Sequence, residues 1–160
     1  MNPPRPILRI LLIEDDLDDA MFFKDALAEI ELQTKLQIIT RCDSILEHVG
    51  HDPENLHHII FLDLNMPLVS GHVCLREIRK DHRLDAIPVI IYSTSAIKSE
   101  VDDTFHGGAS MYLQKPSSFQ LLVIALNKIL RIDWKNFTGR DRDNFVYKHA
   151  LVSSGKSIFS

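Results

Sequence analysis

Several polar side chains stand at the ends of short apolar runs. Glu14-Asp15-Asp16 follow residues 7–13, Asp63 follows Ile59–Leu62, Ser93 follows residues 89–92, and Lys115 comes just after residues 111–113. Their chemistries are complementary. An Asp carboxylate can attack phosphorus and form an acyl phosphate. Three carboxylates at one site repel and raise each other's pKa values. A bound divalent cation removes that conflict, and oxygen-only ligands favour Mg²⁺, which takes one or two carboxylates plus phosphate oxygens. A lysine neutralises a phosphate oxygen as a point charge, and a hydroxyl donates a hydrogen bond to another. Asp63, the acidic pair, Lys115 and Ser93 therefore make a complete phosphoryl-transfer set. Taken singly, each has a blander reading: a helix N-cap, a solvated turn, a surface lysine, a strand-end hydroxyl. The joint pattern is what carries weight.

These groups act together only if the chain brings the run ends to one place. Residues 7–13 are too short for a helix core and suit a strand buried on both faces. Ala20, Phe23, Leu27 and Ile30 then space an amphipathic helix. Residues 36–40 read as a second strand, 43–49 as a short helix and 51–58 as a loop. Ile59–Leu62 is a third strand, followed by a helix over Gly71–Lys80 with Cys74, Leu75 and Ile78 facing inward. Residues 89–92 form a fourth strand. A weaker helix carries Ile97, Val101 and Phe105 and is stopped by Gly107-Gly108. Residues 111–113 form a fifth strand. The last long helix starts at Ser117, which with Gln120 fits a capping box. Its buried face is Phe119, Leu122, Val123, Leu126, Ile129 and Leu130. Five strand–helix repeats predict an α/β fold, a doubly wound parallel sheet. In such a sheet ligands bind beyond the carboxyl ends of the strands, which is where all the chemical groups stand.

Composition narrows the classes. The 160 residues suit one domain, 45% apolar content supports a real core, and a net charge of −4 gives no basic nucleic-acid footprint. Cys42 and Cys74 lack metal-type spacing and read as isolated, buried small hydrophobes in a reducing compartment. The eight histidines are scattered, so zinc is not expected. No run approaches the ~20 apolar residues of a membrane span, and a cytoplasmic location is expected.

The sequence resembles the receiver domain of two-component response regulators, in particular stand-alone chemotaxis-type regulators. The matching segments are Leu11-Leu12-Ile13-Glu14-Asp15-Asp16, Phe61-Leu62-Asp63-Leu64-Asn65-Met66-Pro67 with Gly71, Pro88-Val89-Ile90-Ile91-Tyr92-Ser93, and Tyr112-Leu113-Gln114-Lys115-Pro116. The resemblance covers about residues 7–133. It implies a flavodoxin-like (βα)5 sheet with strand order 2-1-3-4-5. It makes Asp63 the phosphoacceptor, Lys115 the phosphate-contacting lysine, Ser93 the switch hydroxyl and Tyr112 the switch aromatic. Glu14, Asp15 and Asp63, with the Asn65 backbone carbonyl, would hold Mg²⁺ or Mn²⁺, Asp15 more directly than Glu14. Asn65 and Ser95 occupy positions that affect phosphate hydrolysis. Gly71 and Pro116 are structural, and a cis peptide before Pro116 is implied.

By the same resemblance the phosphoryl donor is a sensor histidine kinase or a histidine phosphotransfer protein. The expected activity stops at self-phosphorylation and autodephosphorylation. Residues 1–133 read as the receiver and 134–160 as a C-terminal extension, with no separate output domain. The output is then docking to a downstream protein, without direct DNA or membrane binding. The surface of the 97–105 helix, the fifth strand and the last helix would change on phosphorylation and offers a homodimer face. Trp134, Phe137, Phe145 and Tyr147 read as a folded-back extension or part of a docking surface. The alternative is a degenerate receiver acting as a phosphorylation-independent interaction module. A phosphatase with an Asp nucleophile is disfavoured, because Asn65 stands where its second acid belongs.

Overall fold

The computed structural model describes residues 6–42, 45, 56–67, 69–138 and 140–149. Five strands, β1 (Leu8–Ile13), β2 (Thr34–Ile39), β3 (Ile59–Leu62), β4 (Val89–Ser93) and β5 (Met111–Gln114), form one sheet in the order β2-β1-β3-β4-β5. Every neighbouring pair is parallel. The central strands bear Ile, Leu and Val at nearly every position because both faces are covered. Every residue of β3 and β4 is buried, as are the last four of β1. Side chains alternate between the faces. Leu11, Ile13, Ile60, Leu62 and Ile91 enter one core, and Ile10, Leu12, Ile59, Phe61 and Ile90 the other.

Helices α1 (Leu17–Ala28) and α4 (Phe119–Leu130) cover the second of these faces. Helices α2 (Gly71–Lys80) and α3 (Lys98–His106) cover the first. Gly108 has φ +93° just beyond α3, a conformation that favours glycine, and so ends the helix as the sequence suggests. Residues 43–49, expected as a helix, lie outside the described residues apart from Ile45, which is buried.

Three expectations need correction. The cap of α4 is Ser118, whose hydroxyl accepts from the Leu121 N–H at 3.3 Å, so the helix starts one residue later than the Ser117 signal suggests. Adjacent serines offer the same cap chemistry, and the register of the buried face decides between them. Leu122, Ala125, Leu126, Ile129 and Leu130 are buried there, whereas Phe119 is partly exposed. Cys42 and Cys74 are buried as expected but not isolated. They form a disulfide with Cα atoms 5.6 Å apart, because α2 packs against the segment leaving β2. No cis peptide bond occurs among the described residues, so the bond before Pro116 is trans. That is the isomer X-Pro bonds favour by about 0.5–1 kcal/mol.

The extension folds back. Residues Trp134–Asn136 form a 3₁₀ turn, with the indole N–H donating to the Ile129 carbonyl at 3.2 Å. Phe145 is buried, and Val146 pairs in parallel with Tyr112 beside β5.

Candidate functional site

Parallel strand direction brings four strand ends to one rim. Glu14 and Asp15 follow β1, Asp63 follows β3, Ser93 ends β4 and Lys115 follows β5. Glu14 is fully buried and Asp63 is 3% exposed, while Asp15 is half-buried. One carboxylate oxygen from each of these three residues lies within 4.8 Å of the others. The donor set consists of hard oxygens, with no His or Cys, and its repulsion calls for a cation. Such a set could hold a hard divalent metal ion. The third acid of the run, Asp16, has the blander role: it caps α1 by accepting from the Asp19 N–H at 3.1 Å.

Lys115 reaches into this cluster with its side chain 9% exposed. Its Nζ lies 2.8 Å from Glu14 Oε2, 2.7 Å from Asp19 Oδ2 and 3.6 Å from Asp63 Oδ2. Burial opposes its charge, but the hydrogen bonds it donates to the Asp19 and Glu14 carboxylates and the charge of Asp63 outweigh burial and raise its pKa. The Glu14 pKa is raised as well, although Lys115 works against that shift. Burial, with Asp63 adding to it, pushes its carboxyl up to about 8 against the opposing pull of Lys115. Asp19, in the first turn of α1, is a site residue that sequence reasoning missed. Sequence places it near the rim, since a helix starting there presents its first-turn acids, but its pairing with Lys115 comes from a residue 96 positions away.

Asn65 ties the end of β3 to the end of β4. Its backbone N–H donates to Asp63 Oδ1 at 3.1 Å, and its Nδ2 donates to Ser93 Oγ at 3.2 Å. Ser93 Oγ also accepts from the Ser95 N–H at 3.4 Å. The Tyr112 ring is buried, with its hydroxyl donating to the Ser95 carbonyl at 2.6 Å. Burial pushes that hydroxyl up to about 12, so it stays a donor at neutral pH.

Gly71 shows why α2 can start where it does. Its N–H donates to the Leu64 carbonyl at 3.1 Å, and a Cβ there would stand 2.6 Å from Leu64 Cα. Only glycine lets the helix press against the backbone that carries Asp63. A separate cavity, lined by Leu8, Ile59, Pro88, Leu130 and Trp134, opens at the opposite rim of the sheet and shares no residue with the acidic cluster.

Residues 10–127 match the family model of the response regulator receiver domain. The chain is 29% identical over 123 residues to the probable methanogenesis regulatory protein FilR2 of Methanothrix harundinacea, covering 75% of this chain and 79% of that one. It is 26% identical to the chemotaxis protein CheY of Bacillus subtilis, covering 76% and 97%. Among solved structures it is similar to the Mn²⁺-bound form of response regulator Rcp1, with 25% identity, a TM-score of 0.67 and coverage of 82% and 97%. The sheet order, the acidic rim and the family match agree: this chain belongs to the response regulator receiver domain family.

Proposed function

We propose that the protein is a two-component phosphoacceptor that receives a phosphoryl group on Asp63 from a phosphohistidine and switches a protein-docking surface. One observation carries the reading. The carboxylates of Glu14, Asp15 and Asp63 lie within 4.8 Å of one another, and Lys115 Nζ is 3.6 Å from Asp63. An Asp63 carboxylate oxygen attacks phosphorus, an O–P bond forms, and the P–N bond to the donor imidazole breaks. Lys115 stabilises negative charge on the transferring group and Ser93 donates to one of its oxygens. Glu14, Asp15, Asp63 and the Asn65 carbonyl would hold Mg²⁺ or Mn²⁺, which when bound neutralises charge between acceptor and phosphoryl group. Water later hydrolyses the acyl phosphate; Asn65 and Ser95 stand where they would influence its access.

The donor on this reading is a sensor histidine kinase or phosphotransfer protein, and the output is binding of a separate protein. A cytoplasmic location goes with it, where the Cys42–Cys74 bond would meet reducing conditions. Among the described residues no helix is long and apolar enough to cross a membrane. The test is intact-mass measurement after incubation with acetyl phosphate and Mg²⁺. The native chain should gain one phosphoryl group and Asp63→Asn none; equal gain by the variant rejects Asp63 as acceptor.

A further inference from the structure

An edge strand presents unpaired N–H and C=O groups that can template another strand. The outer edge of β5 is covered by the chain's own residues 140–149. The Tyr112 N–H donates to the Phe145 carbonyl at 3.0 Å, and the Tyr147 N–H donates to the Tyr112 carbonyl at 2.8 Å. The Phe145 ring is buried, edge-on to Phe105 at 5.2 Å and to Tyr112 at 6.2 Å. Arg142 Nε lies 2.6 Å from Asp102 Oδ1 on α3. Arg140 stacks 4.1 Å over the Phe105 ring and donates to the Ala109 carbonyl at 2.8 Å.

This attachment has the form of a bound peptide. The strand contact is one isolated bridge, whereas β4 and β5 stay in register over four residue pairs. Specificity comes from side chains in sites: one ring in an aromatic cleft, one cation on a partly exposed carboxylate. That division, backbone pairing for attachment and side chains for selection, is how extended segments add to a sheet edge.

Tyr112 joins this edge to the chemistry. Its main chain holds the segment on both sides, and its hydroxyl holds the carbonyl of Ser95, two residues past Ser93. We propose that the β5 edge, with Phe105, Asp102 and Tyr112, is a docking site for extended segments of basic-x-x-aromatic pattern, that residues 140–149 are its resident occupant, and that occupancy and the phosphoryl site are coupled through Tyr112. The coupling rests on the phosphoacceptor reading above. Its sign follows from the geometry. The occupant packs against Tyr112 in its buried position, with the hydroxyl drawn toward the Ser93 segment. A phosphoryl group that draws Ser93 inward favours the same position. Each event therefore strengthens the other, by the same factor in both directions.

The test uses the full chain, Mg²⁺ and beryllofluoride, with bound fluoride followed by fluorine NMR and amide exchange followed at Tyr112 and Tyr147. Ligand binding should slow exchange at both amides at least about fivefold, the low end of ordinary site coupling. Phe145→Ala should weaken beryllofluoride binding by a similar factor. Arg142→Ala, which opens no core, should weaken it less and in the same direction. A synthetic peptide of residues 140–149 added to Phe145→Ala should restore the affinity. If beryllofluoride binds the native chain while these amides and the variants' affinities stay unchanged, the segment is only a cover and the proposal is overturned. If the native chain does not bind beryllofluoride at all, the phosphoacceptor reading fails and the coupling with it. Protection that appears only with a concentration-dependent dimer would assign the site to a second copy and overturn the occupant named here.

Discussion

Lys115 is bound more closely to Asp19 than to Asp63: its Nζ lies 2.7 Å from Asp19 Oδ2 and 3.6 Å from Asp63 Oδ2. On the proposed phosphoacceptor reading, Asp19 would compete with an incoming phosphoryl group for Lys115. It would also add negative charge where an anionic donor approaches. Asp19→Asn removes both effects and should speed phosphoryl uptake from acetyl phosphate. Asp19 is 41% exposed, so solvent screens the pair and its worth is at most ~1 kcal/mol. The expected gain is accordingly about fivefold at most. Intact-mass time courses of variant and native chain measure it; an unchanged rate would mean that Asp19 does not restrain Lys115.

The metal prediction turns on Asp15. Glu14 is already engaged by Lys115 at 2.8 Å, whereas Asp15 is half-buried at the mouth of the cluster and free of that lysine. Asp15→Asn should lower Mn²⁺ affinity by at least about tenfold, since even outer partners of metal ligands are worth that much. Calorimetric titration reads it directly. Native-like affinity in the variant would remove Asp15 from the ligand set.

The Glu14 carboxyl gives a pH prediction for the metal-free protein. Its folded pKa is raised from 4.5 to about 8, chiefly by burial. Between those values the folded chain keeps a proton that the unfolded chain has released. The stability this confers is fully present below the unfolded pKa and is lost as pH rises through the folded one. Urea midpoints of metal-free protein should therefore fall from pH 5 toward pH 8 relative to those of Glu14→Gln, which cannot titrate there. Comparing the two chains separates this slope from that of His58 and His149, whose pKa values burial lowers. Parallel profiles would show that Glu14 is already ionised in the folded state.

Much of this was readable from residue order. Strand runs such as Ile59–Leu62 declare themselves because burial on both faces demands continuous apolar side chains, and strand ends mark the chemical rim whatever the loops do. Asp63, Glu14, Asp15, Ser93 and Lys115 were legible on that ground. Asp19 was not, because its role depends on how far a lysine 96 residues away extends. The pairing of Val146 with Tyr112 was equally hidden. A short apolar stretch after a polar segment says that something will be buried, not which edge will bury it. Ser118 rather than Ser117 was a choice between two equivalent hydroxyls, settled only by packing.

The disulfide is the largest departure from the sequence expectation and yields the last prediction. Cys42 and Cys74 are separated by 32 residues, too far for spacing to announce a pair, yet α2 brings their Cα atoms to 5.6 Å. Cross-linking a loop of that length restricts the unfolded chain by roughly 3–4 kcal/mol on the chain-entropy view. Reduction with dithiothreitol should lower the unfolding free energy by about that amount. Alkylation under denaturing conditions should find no free thiol before reduction and two after it. The double variant Cys42→Ala, Cys74→Ala should resemble the reduced chain, less the packing lost with two buried sulfurs. The bond anchors α2, whose first residue, Gly71, presses on the backbone of Asp63 and Leu64, so reduction should also loosen the Asp63 segment, read as faster amide exchange at Asn65. Equal stability of oxidised and reduced protein would return the two cysteines to the role of independent buried hydrophobes.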